Sequence, residues 1–493
     1  MSLISVSNLT FAYAGSYDNI FENVNFRIET DWKLGFIGRN GRGKTTFLNL
    51  LLDKYEYAGN ISASVSFAYF PYDVPDKQIN TIDAINSIGH DCLDWELRRE
   101  LSLLEVSDDI LNRRFNALSA GEQTKVLLAV LFLKENSFLL IDEPTNHLDM
   151  AGRAIVSAYL KSKKGFILVS HDRAFLDNCV DHILSINKTN IEIQRGNFSS
   201  WLLNKECQDS QETAENERLK KDIKKLNEAA KRTAAWSCLA EKTKHGTRNS
   251  GLRPDRGFIG HKSAKMMKRS KAIAARQQSA IDDKSGLCKN IESADNLKIT
   301  QMRYHTSRLI ALEGVSVFYG EKTACQNVSF SIEQGDRVAL SGKNGSGKSS
   351  VIKLICGENM QYTGVFHKGS RLAVSYVSQD TSFLSGSLSG YALRCGIDES
   401  LFKAILRKLN FSKVQFEKDM RDFSGGQKKK VLIAQSLCEK AHLHVWDEPL
   451  NFIDVISRMQ IENLLIENAP TILFVEHDSV FCDNIATKKI MLS

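Results

Sequence analysis

The stretch Gly38-Arg39-Asn40-Gly41-Arg42-Gly43-Lys44-Thr45 decides the fold of this chain. It has the spacing of a phosphate-binding loop, in which glycines let backbone N–H groups close around phosphate oxygens. Lys44 supplies a positive charge, and Thr45 offers its hydroxyl to Mg²⁺. A short apolar strand over 34–37 precedes the loop, and a helix over 47–52 is predicted to follow with its N-terminus facing the anion. The order of strand, loop and helix predicts an α/β nucleotide-binding domain.

Two acidic residues end an apolar segment farther along the chain. Residues 138–141 are all apolar and run directly into Asp142 and Glu143, as buried parallel strands end at a ligand crevice. Asp142 is suited to hold Mg²⁺ through water, and Glu143 to polarise an attacking water. His171 follows a second apolar strand over 166–169 and is predicted to reach the γ-phosphate. In another chain the acids could be a cap and the histidine structural, but a phosphate loop in the same chain favours the catalytic interpretation.

Every one of these motifs occurs twice. Lys44 recurs 304 residues later as Lys348, and Glu143 recurs 305 residues later as Glu448. Ser119, a predicted helix N-cap before the apolar segment 126–133, recurs as Ser424, and His171 as His477. The second phosphate loop reads Gly342-Lys343-Asn344-Gly345-Ser346-Gly347-Lys348-Ser349. The chain therefore contains an internal duplication.

The composition excludes several classes of protein. The apolar fraction of 42% is sufficient for buried cores, but no run approaches the roughly 20 apolar residues of a membrane helix. The first ten residues lack a basic region followed by an apolar one, so we expect no signal peptide. The ten cysteines include no CxxC pair, which argues against a zinc site or a disulfide framework and favours a reducing cytoplasm.

A basic stretch separates the two copies. Residues 205–308 contain 24 Lys and Arg against 13 Asp and Glu, a net charge of +11 in a chain whose total is +7. Such a concentration is the electrostatic signature of a polyanion partner, although a solvated linker is the ordinary alternative. The segment 212–244 lacks Pro and Gly and has helical apolar spacing. Turn residues then predict a tip loop at about 246–262, and a helical pattern resumes from 263.

The predicted tip of this helical hairpin carries Leu252, Phe258 and Ile259. An apolar tip on a basic stalk suits insertion into folded RNA, where phosphates meet the charge and bases stack on aromatic groups.

Together these motifs resemble those of the ATP-binding cassette (ABC) ATPases. Leu118-Ser119-Ala120-Gly121-Glu122-Gln123 is similar to their LSGGQ signature, and Leu148-Asp149 to their D-loop. The resemblance implies an α/β fold with two tandem ABC-type P-loop ATPase domains, at 1–204 and 308–493, joined by a helical hairpin linker at 205–307. It also implies hydrolysis of ATP to ADP and phosphate, with ATP and Mg²⁺ as ligands.

The resemblance assigns roles to individual residues. The implied catalytic residues are Glu143, Glu448, His171 and His477. The implied nucleotide-binding residues are Tyr13, Gly38, Asn40, Gly41, Gly43, Lys44, Thr45, Thr46, Ser119 and Gly121 in the first copy, and Tyr319, Gly342, Asn344, Gly345, Gly347, Lys348, Ser349, Ser350, Ser424 and Gly426 in the second. The implied metal ligands are Thr45, Asp142, Ser349, Gln379 and Asp447.

ABC domains pair head to tail, so the resemblance implies two composite sites within a monomer. One joins Lys44 to Ser424 and Gly426, and the other joins Lys348 to Ser119 and Gly121. The copies differ at the Q-loop, where Tyr72 stands in the first copy at the position of Gln379 in the second. We therefore expect both sites to hydrolyse ATP at unequal rates.

Two ABC cassettes joined by a basic helical linker resemble the ABC-F family. The resemblance implies a cytoplasmic, ribosome-associated protein without a membrane subunit, which binds 23S rRNA and P-site tRNA near the E site. The long linker, the equal spacing from phosphate loop to signature in both copies, and the run 32–43 are similar to the Lsa-type antibiotic-resistance members. Those members protect ribosomes from lincosamides, pleuromutilins and streptogramin A drugs. The tip residues Leu252, Phe258 and Ile259 would then approach the drug pocket.

Three other functions remain open from the sequence. A housekeeping ABC-F translation factor differs least, and its main discriminator is an arm subdomain that the first copy has no room for. The ATPase subunit of a transporter would leave the basic hairpin without a role. A DNA-repair or chromosome ATPase would usually contain zinc-binding CxxC pairs or a far longer coiled coil.

Overall fold

The computed structural model describes residues 2–13, 19–72, 74–88, 93–134, 136–146, 148–187, 190–242, 265, 268, 271–272, 275–276, 302–320, 322–343 and 345–492. The predicted tip residues Leu252, Phe258 and Ile259, and Asn344 of the second phosphate loop, lie outside these ranges. The chain forms two compact units, one comprising residues 1–201 and 296–493 and the other residues 202–295.

The first unit contains both repeats of the duplication. The strands of the first repeat are β1 (Leu3–Phe11), β2 (Phe21–Glu29), β3 (Lys33–Ile37), β4 (Ala58–Ser62), β5 (Ser66–Phe70), β6 (Ser137–Asp142), β7 (Phe166–Val169), β8 (His182–Asn187) and β9 (Asn190–Arg195). Its helices are α1 (Lys44–Leu51), α2 (Thr81–Ser87), α3 (Asp94–Leu103), α4 (Ala120–Phe132), α5 (Met150–Ser162) and α6 (Arg173–Cys179), with 3-10 turns at Asp108–Asn112 and Phe115–Ala117. Helix α7 (Phe198–Lys242) follows and continues into the second unit.

The second repeat follows the same order, except that in its described residues it has an additional short helix and no strand equivalent to β9. Its strands are β10 (Arg308–Tyr319), β11 (Lys322–Glu333), β12 (Arg337–Gly342), β13 (Gln361–Lys368), β14 (Val374–Val377), β15 (Leu443–Asp447), β16 (Ile472–Val475) and β17 (Lys488–Leu492). Its helices are α8 (Lys348–Cys356), α9 (Leu388–Cys395), α10 (Glu399–Lys408), α11 (Lys413–Glu417), α12 (Gly425–Cys438), α13 (Val455–Asn468) and α14 (Ser479–Ile485), with a 3-10 turn at Met420–Asp422.

Each repeat combines a largely parallel sheet with a small antiparallel one. The parallel sheets have the orders β5-β6-β7-β3-β8-β9, in which β9 alone is antiparallel, and β14-β15-β16-β12-β17. The antiparallel sheets have the orders β2-β1-β4 and β11-β10-β13. Strand β7 is fully buried and entirely apolar, as expected for a parallel strand covered on both faces. The predicted α/β fold with two tandem domains is confirmed.

Helix α4 begins at Ala120, six residues before the predicted apolar segment. Its first turn is polar, so the apolar pattern in the sequence starts later than the helix itself. Ser119 is its N-cap and accepts from the backbone N–H of Glu122, while the backbone N–H of Ser119 donates to Glu122 Oε2 at 2.7 Å. This capping box satisfies two of the N–H groups that a helix start leaves free. Ser424 and Gln427 form the same arrangement at the start of α12. The cap that the sequence predicts at Ser119 is confirmed.

Helix α7 begins at Phe198, well before the first residue of the predicted linker. Phe198 and Trp201 are buried and anchor its start in the first unit. Within the second unit, Lys220, Lys221, Lys224 and Lys225 on this helix are all exposed. The residues described between 243 and 301 are Lys265, Lys268, Lys271, Ala272, Ala275 and Arg276, which are helical and exposed. The described part of this unit is therefore helical and exposes a group of lysines on α7 and a second basic group at 265–276.

Candidate functional site

The order of the parallel strands gathers the predicted site residues at one edge of each sheet. In the first repeat β7 lies between β6 and β3. Asp142 ends β6, His171 follows the end of β7, and the phosphate loop follows β3. Because the carboxyl ends of these strands share one edge, residues far apart in sequence meet there. In the second repeat β15, β16 and β12 bring Asp447, His477 and the second loop together in the same way.

The phosphate loops need glycine at the residue before each helix. Gly43 has a φ of 93°, and a Cβ atom added there would lie 2.5 Å from Cγ2 of Ile20. Gly347 has a φ of 84°, and an added Cβ would lie 2.5 Å from the carbonyl oxygen of Ala324. A side chain at either position would therefore require both a left-handed backbone and a displaced neighbour. The close approach leaves backbone N–H groups at the starts of α1 and α8 facing the loop.

The two phosphate-loop lysines are folded over their own loops. Lys44 Nζ donates to the carbonyl oxygen of Gly38 at 2.8 Å, and Lys348 Nζ donates to that of Gly342 at 2.9 Å. Both side chains are buried, and burial lowers the pKa of each amine. A phosphate group bound in the loop would supply the negative charge that these buried ammonium groups need.

An oxygen pair suited to a magnesium ion occurs in each repeat. Thr45 Oγ1 donates to Asp142 Oδ2 at 3.0 Å, and Ser349 Oγ donates to Asp447 Oδ1 at 3.4 Å. Magnesium in nucleotide sites is usually held by one or two protein oxygens together with phosphate oxygens and water. The donor set therefore fits Mg²⁺ bound with a nucleotide. Among the described residues no cluster of three or more His, Cys, Asp or Glu side chains could hold a metal without such a partner.

The two predicted catalytic glutamates share a rare backbone conformation. Glu143 has a φ of 51° and Glu448 a φ of 46°, in the left-handed region that non-glycine residues seldom occupy. Each is tied to the neighbouring strand, because the N–H of Glu143 donates to Val169 at 2.9 Å and that of Glu448 donates to Val475 at 3.1 Å. Strained conformations of this kind cluster at functional sites, where surrounding structure holds them.

The surroundings of Glu143 are poor in hydrogen-bond donors. Both carboxylate oxygens are buried and lack a well-formed hydrogen bond among the residues that the structure describes, with only the backbone of His171 close enough to lower the pKa of Glu143. His171 Nε2 lies 3.2 Å from Oε1, but burial and the nearby Lys44 keep the pKa of the imidazole well below its usual value. Burial, aided by the negative charge of Asp142, raises the pKa of Glu143 to about 8. Burial therefore favours the protonated form of this carboxyl group in the free protein.

Glu448 occupies the same position in the second repeat but has several donors. Gln379 Nε2 donates to Oε2 at 2.8 Å, Asn451 Nδ2 donates to Oε2 at 2.7 Å, and His477 Nε2 lies 3.6 Å from Oε1. Of these neighbours, His477 contributes most to lowering the pKa of Glu448. The amide of Gln379, expected from the sequence at the metal, here contacts the carboxylate of Glu448. The pKa values of the two glutamates are thus shifted in opposite directions.

Tyr72 explains part of this difference. Its hydroxyl donates to the carbonyl oxygen of Leu127 in α4 at 2.8 Å, so it does not replace the amide that Gln379 offers to Glu448. Instead, the nearby Tyr69 donates from its hydroxyl to Asp142 Oδ2 at 3.1 Å. Among the described residues of the first repeat, Tyr69 thus donates to Asp142, and no side-chain amide donates to Glu143.

The predicted adenine-stacking tyrosines lie beside the phosphate-loop helices. The hydroxyl of Tyr13 is 2.8 Å from Thr46 Oγ1, and that of Tyr319 is 3.4 Å from Ser350 Oγ. Both rings are largely exposed, which leaves a face open for a planar base. Tyr13 also packs edge-on against Tyr55 with ring centroids 5.8 Å apart.

The phosphate loop of the first repeat meets the signature of the second repeat. Asn40 Nδ2 donates to the carbonyl oxygen of Phe452 at 2.5 Å. A Cβ added at Gly426 would lie 2.3 Å from that oxygen and 3.0 Å from Asn40 Nδ2, so the signature glycine permits this approach. We call this composite region site 1. It brings together the loop of Lys44, Glu143 and His171 with Gly426, as head-to-tail pairing predicts.

The phosphate loop of the second repeat meets the signature of the first across a cavity of about 630 Å³. The first repeat contributes Ala120, which lies between Ser119 and Gly121, together with Asn146 and Leu148 of the D-loop. The second repeat contributes, among others, Tyr319, Lys348, Ser349, Gln379, Glu448 and His477. We call this region site 2. A volume in the usual range of ligand pockets is consistent with a nucleotide there.

Several residues that shape these sites were not predicted from the sequence. Tyr69 and Asn451 contact the acidic residues directly. Arg153 and Arg458 lie near the histidines, where Arg153 donates to the carbonyl oxygen of His477 and the charge of Arg458 acts on His171. These two arginines are 305 residues apart, so the internal repeat was a signal that could have found them.

The family model described as ABC transporter matches residues 21–146 and 325–451. The two matched segments make up just over half of the 493 residues, one in each repeat. The chain belongs to the ABC transporter family. As an ABC ATPase it binds and hydrolyses ATP, and the predicted activity is confirmed. No helix in the described part of this ABC ATPase is long and apolar enough to cross a membrane.

Two relatives are similar along nearly the whole chain. ATP-binding protein Uup of Buchnera aphidicola subsp. Schizaphis graminum (strain Sg) is 28% identical over 518 residues, which cover 99% of this chain and 80% of Uup. Ribosome protection protein VmlR of Bacillus subtilis (strain 168) is 27% identical over 498 residues, which cover 100% of this chain and 87% of VmlR. Both similarities include the segment between the repeats. The ABC ATPase is thus of the ABC-F type, and this part of the predicted resemblance is confirmed.

The fold of this ABC ATPase is similar to a chain in the crystal structure of the complex of archaeal ribosomal stalk protein aP1 and archaeal ribosome recycling factor aABCE1. The TM-score is 0.64 at 18% sequence identity, and the match covers 98% of this chain and 87% of that chain. At this identity the likeness concerns the fold, which it confirms.

Proposed function

We propose that this ABC-F ATPase binds ribosomes near the E site and protects the peptidyl-transferase region from antibiotics of the lincosamide, pleuromutilin and streptogramin A type. The observation that carries the proposal is the group of exposed basic side chains between the ATPase repeats. Lys220, Lys221, Lys224 and Lys225 are exposed on α7, and Lys265, Lys268, Lys271 and Arg276 are exposed farther along. Arrays of this kind bind the phosphates of nucleic acids.

The similarity to VmlR along the full chain supports the same proposal, because that relative is described as a ribosome protection protein. Under the proposal the partners are 23S rRNA and the P-site tRNA, and the protein acts in the cytoplasm without a membrane subunit. Leu252, Phe258 and Ile259 would provide the apolar tip that approaches the drug pocket.

The ATPase sites would gate this binding. We propose that Lys44 and Lys348 neutralise the phosphates of ATP, and that Tyr13 and Tyr319 stack on adenine. Gly38, Asn40, Gly41, Gly43, Thr46, Gly342, Asn344, Gly345, Gly347 and Ser350 would shape the two loops around the phosphates. Ser119 and Gly121 would close site 2, and Ser424 and Gly426 would close site 1.

The proposed chemistry needs a base, a sensor and a cation. Glu143 and Glu448 would orient and deprotonate the attacking water, while His171 and His477 would contact the γ-phosphate. Thr45 and Asp142 in site 1, and Ser349, Asp447 and Gln379 in site 2, would hold Mg²⁺. When bound, Mg²⁺ would neutralise charge on the phosphate oxygens.

The test is drug susceptibility in a sensitive host that carries the wild-type gene, an empty vector, or the E143Q/E448Q variant. The expected result is a raised inhibitory concentration for one or more peptidyl-transferase inhibitors with the wild type only. An inhibitor of the small ribosomal subunit serves as the negative control. If the wild type protects against no peptidyl-transferase inhibitor but still binds ribosomes, the resistance proposal is wrong and a housekeeping translation factor takes its place.

A further inference from the structure

A single arginine connects the D-loop of the first repeat with the histidine segments of both repeats. Arg153 Nε donates to the carbonyl oxygen of Leu148 at 3.1 Å. Its Nη1 donates to Asp172 Oδ2 at 2.8 Å and to the carbonyl oxygen of His477 at 3.1 Å. The last of these bonds crosses from the first repeat to the second. One guanidinium group is therefore bonded to three backbone or side-chain oxygens in three separate segments.

Each of these segments belongs to an ATP site. Asp172 directly follows His171 of site 1 and caps α6, because its Oδ1 accepts from the N–H of Phe175 at 3.0 Å. His477 and Leu148 both line the cavity of site 2. A movement of either histidine segment changes the position of an oxygen that Arg153 binds. The arginine is thus in contact with both sites at once.

The contact is built into the interior of the protein. The side chain of Arg153 is 13% exposed and that of Asp172 is 6% exposed. At this depth, a displaced partner would leave a buried charge or carbonyl unpaired, which costs free energy. The arrangement therefore favours concerted movement of the two segments over independent movement.

The second repeat contains a counterpart with different contacts. Arg458 Nε donates to the carbonyl oxygen of Ile453 at 2.9 Å, and its Nη1 donates to Asp478 Oδ2 at 3.2 Å. These bonds repeat those of Arg153 within its own repeat. Toward site 1, the positive charge of Arg458 lowers the pKa of both His171 and Glu143. Both arginines therefore face the opposite site, and Arg153 does so through a direct hydrogen bond.

We propose that Arg153 is a positioning residue that couples the two ATP sites by holding the segments of His171 and His477 in one hydrogen-bonded arrangement. ATP turnover at one site then displaces the histidine segment of the other. The coupling requires a planar fork of donors, which lysine lacks. The inference rests on the proposed roles of Glu143 and Glu448 as the bases of sites 1 and 2.

The test compares full-length wild type, E143Q and E448Q with the same three proteins carrying R153Q. If the sites are coupled, the turnover rates of E143Q and E448Q added together should be at least about fivefold lower than the wild-type rate, since allosteric coupling is typically about 5- to 150-fold. We call this shortfall the deficit. With R153Q, the rates of the two single-site variants are expected to sum to the rate of R153Q itself. R153K should behave as R153Q, because one ammonium nitrogen cannot replace the two guanidinium nitrogens that bind the carbonyl oxygen of Leu148, Asp172 and the carbonyl oxygen of His477 together.

R98Q is the matched control, because Arg98 donates to Asp94 of α3 and to Asp108 of the following 3-10 turn, outside the histidine segments. In the R98Q background, the turnover rates of E143Q and E448Q should still sum to at least about fivefold less than the rate of R98Q itself. Should R153Q fail to fold, as judged by thermal unfolding, R153K alone decides the matter. The proposal is overturned if, in folded R153Q or R153K, the two single-site rates still sum to much less than the rate of that variant alone. It is equally overturned if Arg153 substitution lowers all rates by the same factor and leaves this deficit unchanged. Failure of E143Q and E448Q to lower turnover would instead refute the assignment of the bases.

Discussion

Arg173 Nη2 donates a hydrogen bond of 2.6 Å to Glu462 Oε2, and the two residues belong to different ATPase repeats. Both side chains are less than a tenth exposed. Glu462 also accepts a hydrogen bond of 2.5 Å from Asn484 Nδ2. At the equivalent positions on the other side of the duplication, the chain has Ser479 and Ser157. This buried ion pair therefore connects the two repeats directly. The duplication has no second copy of the pair, because serines occupy the equivalent positions.

Removal of one partner should destabilise the pair of repeats. We expect R173M to lower the stability of the folded chain by about 3–5 kcal/mol, because Glu462 remains buried without its counter-ion. The double variant R173M/E462M should recover most of the loss, since no buried charge then remains. The measurement is the thermal unfolding midpoint of each purified variant. S157A/S479A is the control and should unfold close to the wild type; a drop equal to that of R173M would contradict the assignment.

Replacement of both proposed bases should separate binding from hydrolysis. In E143Q/E448Q the side chains keep their size but lose the ability to accept a proton, so turnover should fall by about 10²–10⁴-fold. ATP should still bind, because neither substitution touches the phosphate loops. The measurements are steady-state ATPase rates and equilibrium binding of a fluorescent ATP analogue. ATPase activity near the wild-type rate in the double variant would exclude both residues from the mechanism.

The two sites should respond differently to pH. Site 1 is isolated in E448Q, and its base Glu143 has a pKa raised to about 8 by burial. The carboxylate of the free protein forms as pH rises, so kcat/KM should increase by about tenfold per pH unit below 8 and level off above it. Site 2 is isolated in E143Q, and Glu448 has a lowered pKa. Its kcat/KM should show no such rise between about pH 6.5 and 9.

The measurement is kcat/KM of both single variants over that range in constant ionic strength. Parallel profiles for E448Q and E143Q would show that the surroundings of the two glutamates do not control the rates. A rise in E143Q alone would reverse the assignment of the sites.

Tyr72 should limit the turnover of site 1. In the E448Q background, Y72Q would offer Glu143 an amide like the one that Gln379 gives Glu448 at 2.8 Å. We expect turnover at site 1 to rise by about tenfold, which corresponds to about 1.4 kcal/mol in the activation free energy. Y72F is the control, because it removes only the hydroxyl that donates to Leu127. An equal effect of Y72F and Y72Q would attribute the change to α4 rather than to the amide.

The exposed lysines of α7 should determine ribosome affinity. We expect alanine at Lys220, Lys221, Lys224 and Lys225 together to weaken binding and to make its dependence on salt shallower, by up to about 3 in the slope of log K against log salt. The measurement is co-sedimentation with ribosomes at several salt concentrations. A variant with alanine at Lys161, Lys164, Lys418 and Lys440 removes the same charge from exposed positions of the ATPase repeats. If both variants bind alike, the α7 lysines are an ordinary solvated surface.

The local motifs were predictable because short segments encode them. The spacing of glycines around Lys44 and Lys348 determines a phosphate loop, and Ser119 with Glu122 determines a helix start. The duplication followed from the nearly constant offset between equivalent residues, and the loss of glutamine at Tyr72 was visible from the sequence. In each case the interacting atoms lie within a few residues of one another, or the same pattern occurs twice.

Contacts between distant segments were decided only by the tertiary structure. Neither the bond from Arg153 to His477 nor the ion pair of Arg173 and Glu462 follows from spacing, because the partners are about 300 residues apart and meet only when the repeats pair. The sequence predicts unequal sites but not the protonation states of Glu143 and Glu448. A pKa depends on burial and on which donors surround the carboxylate, and folding alone determines both.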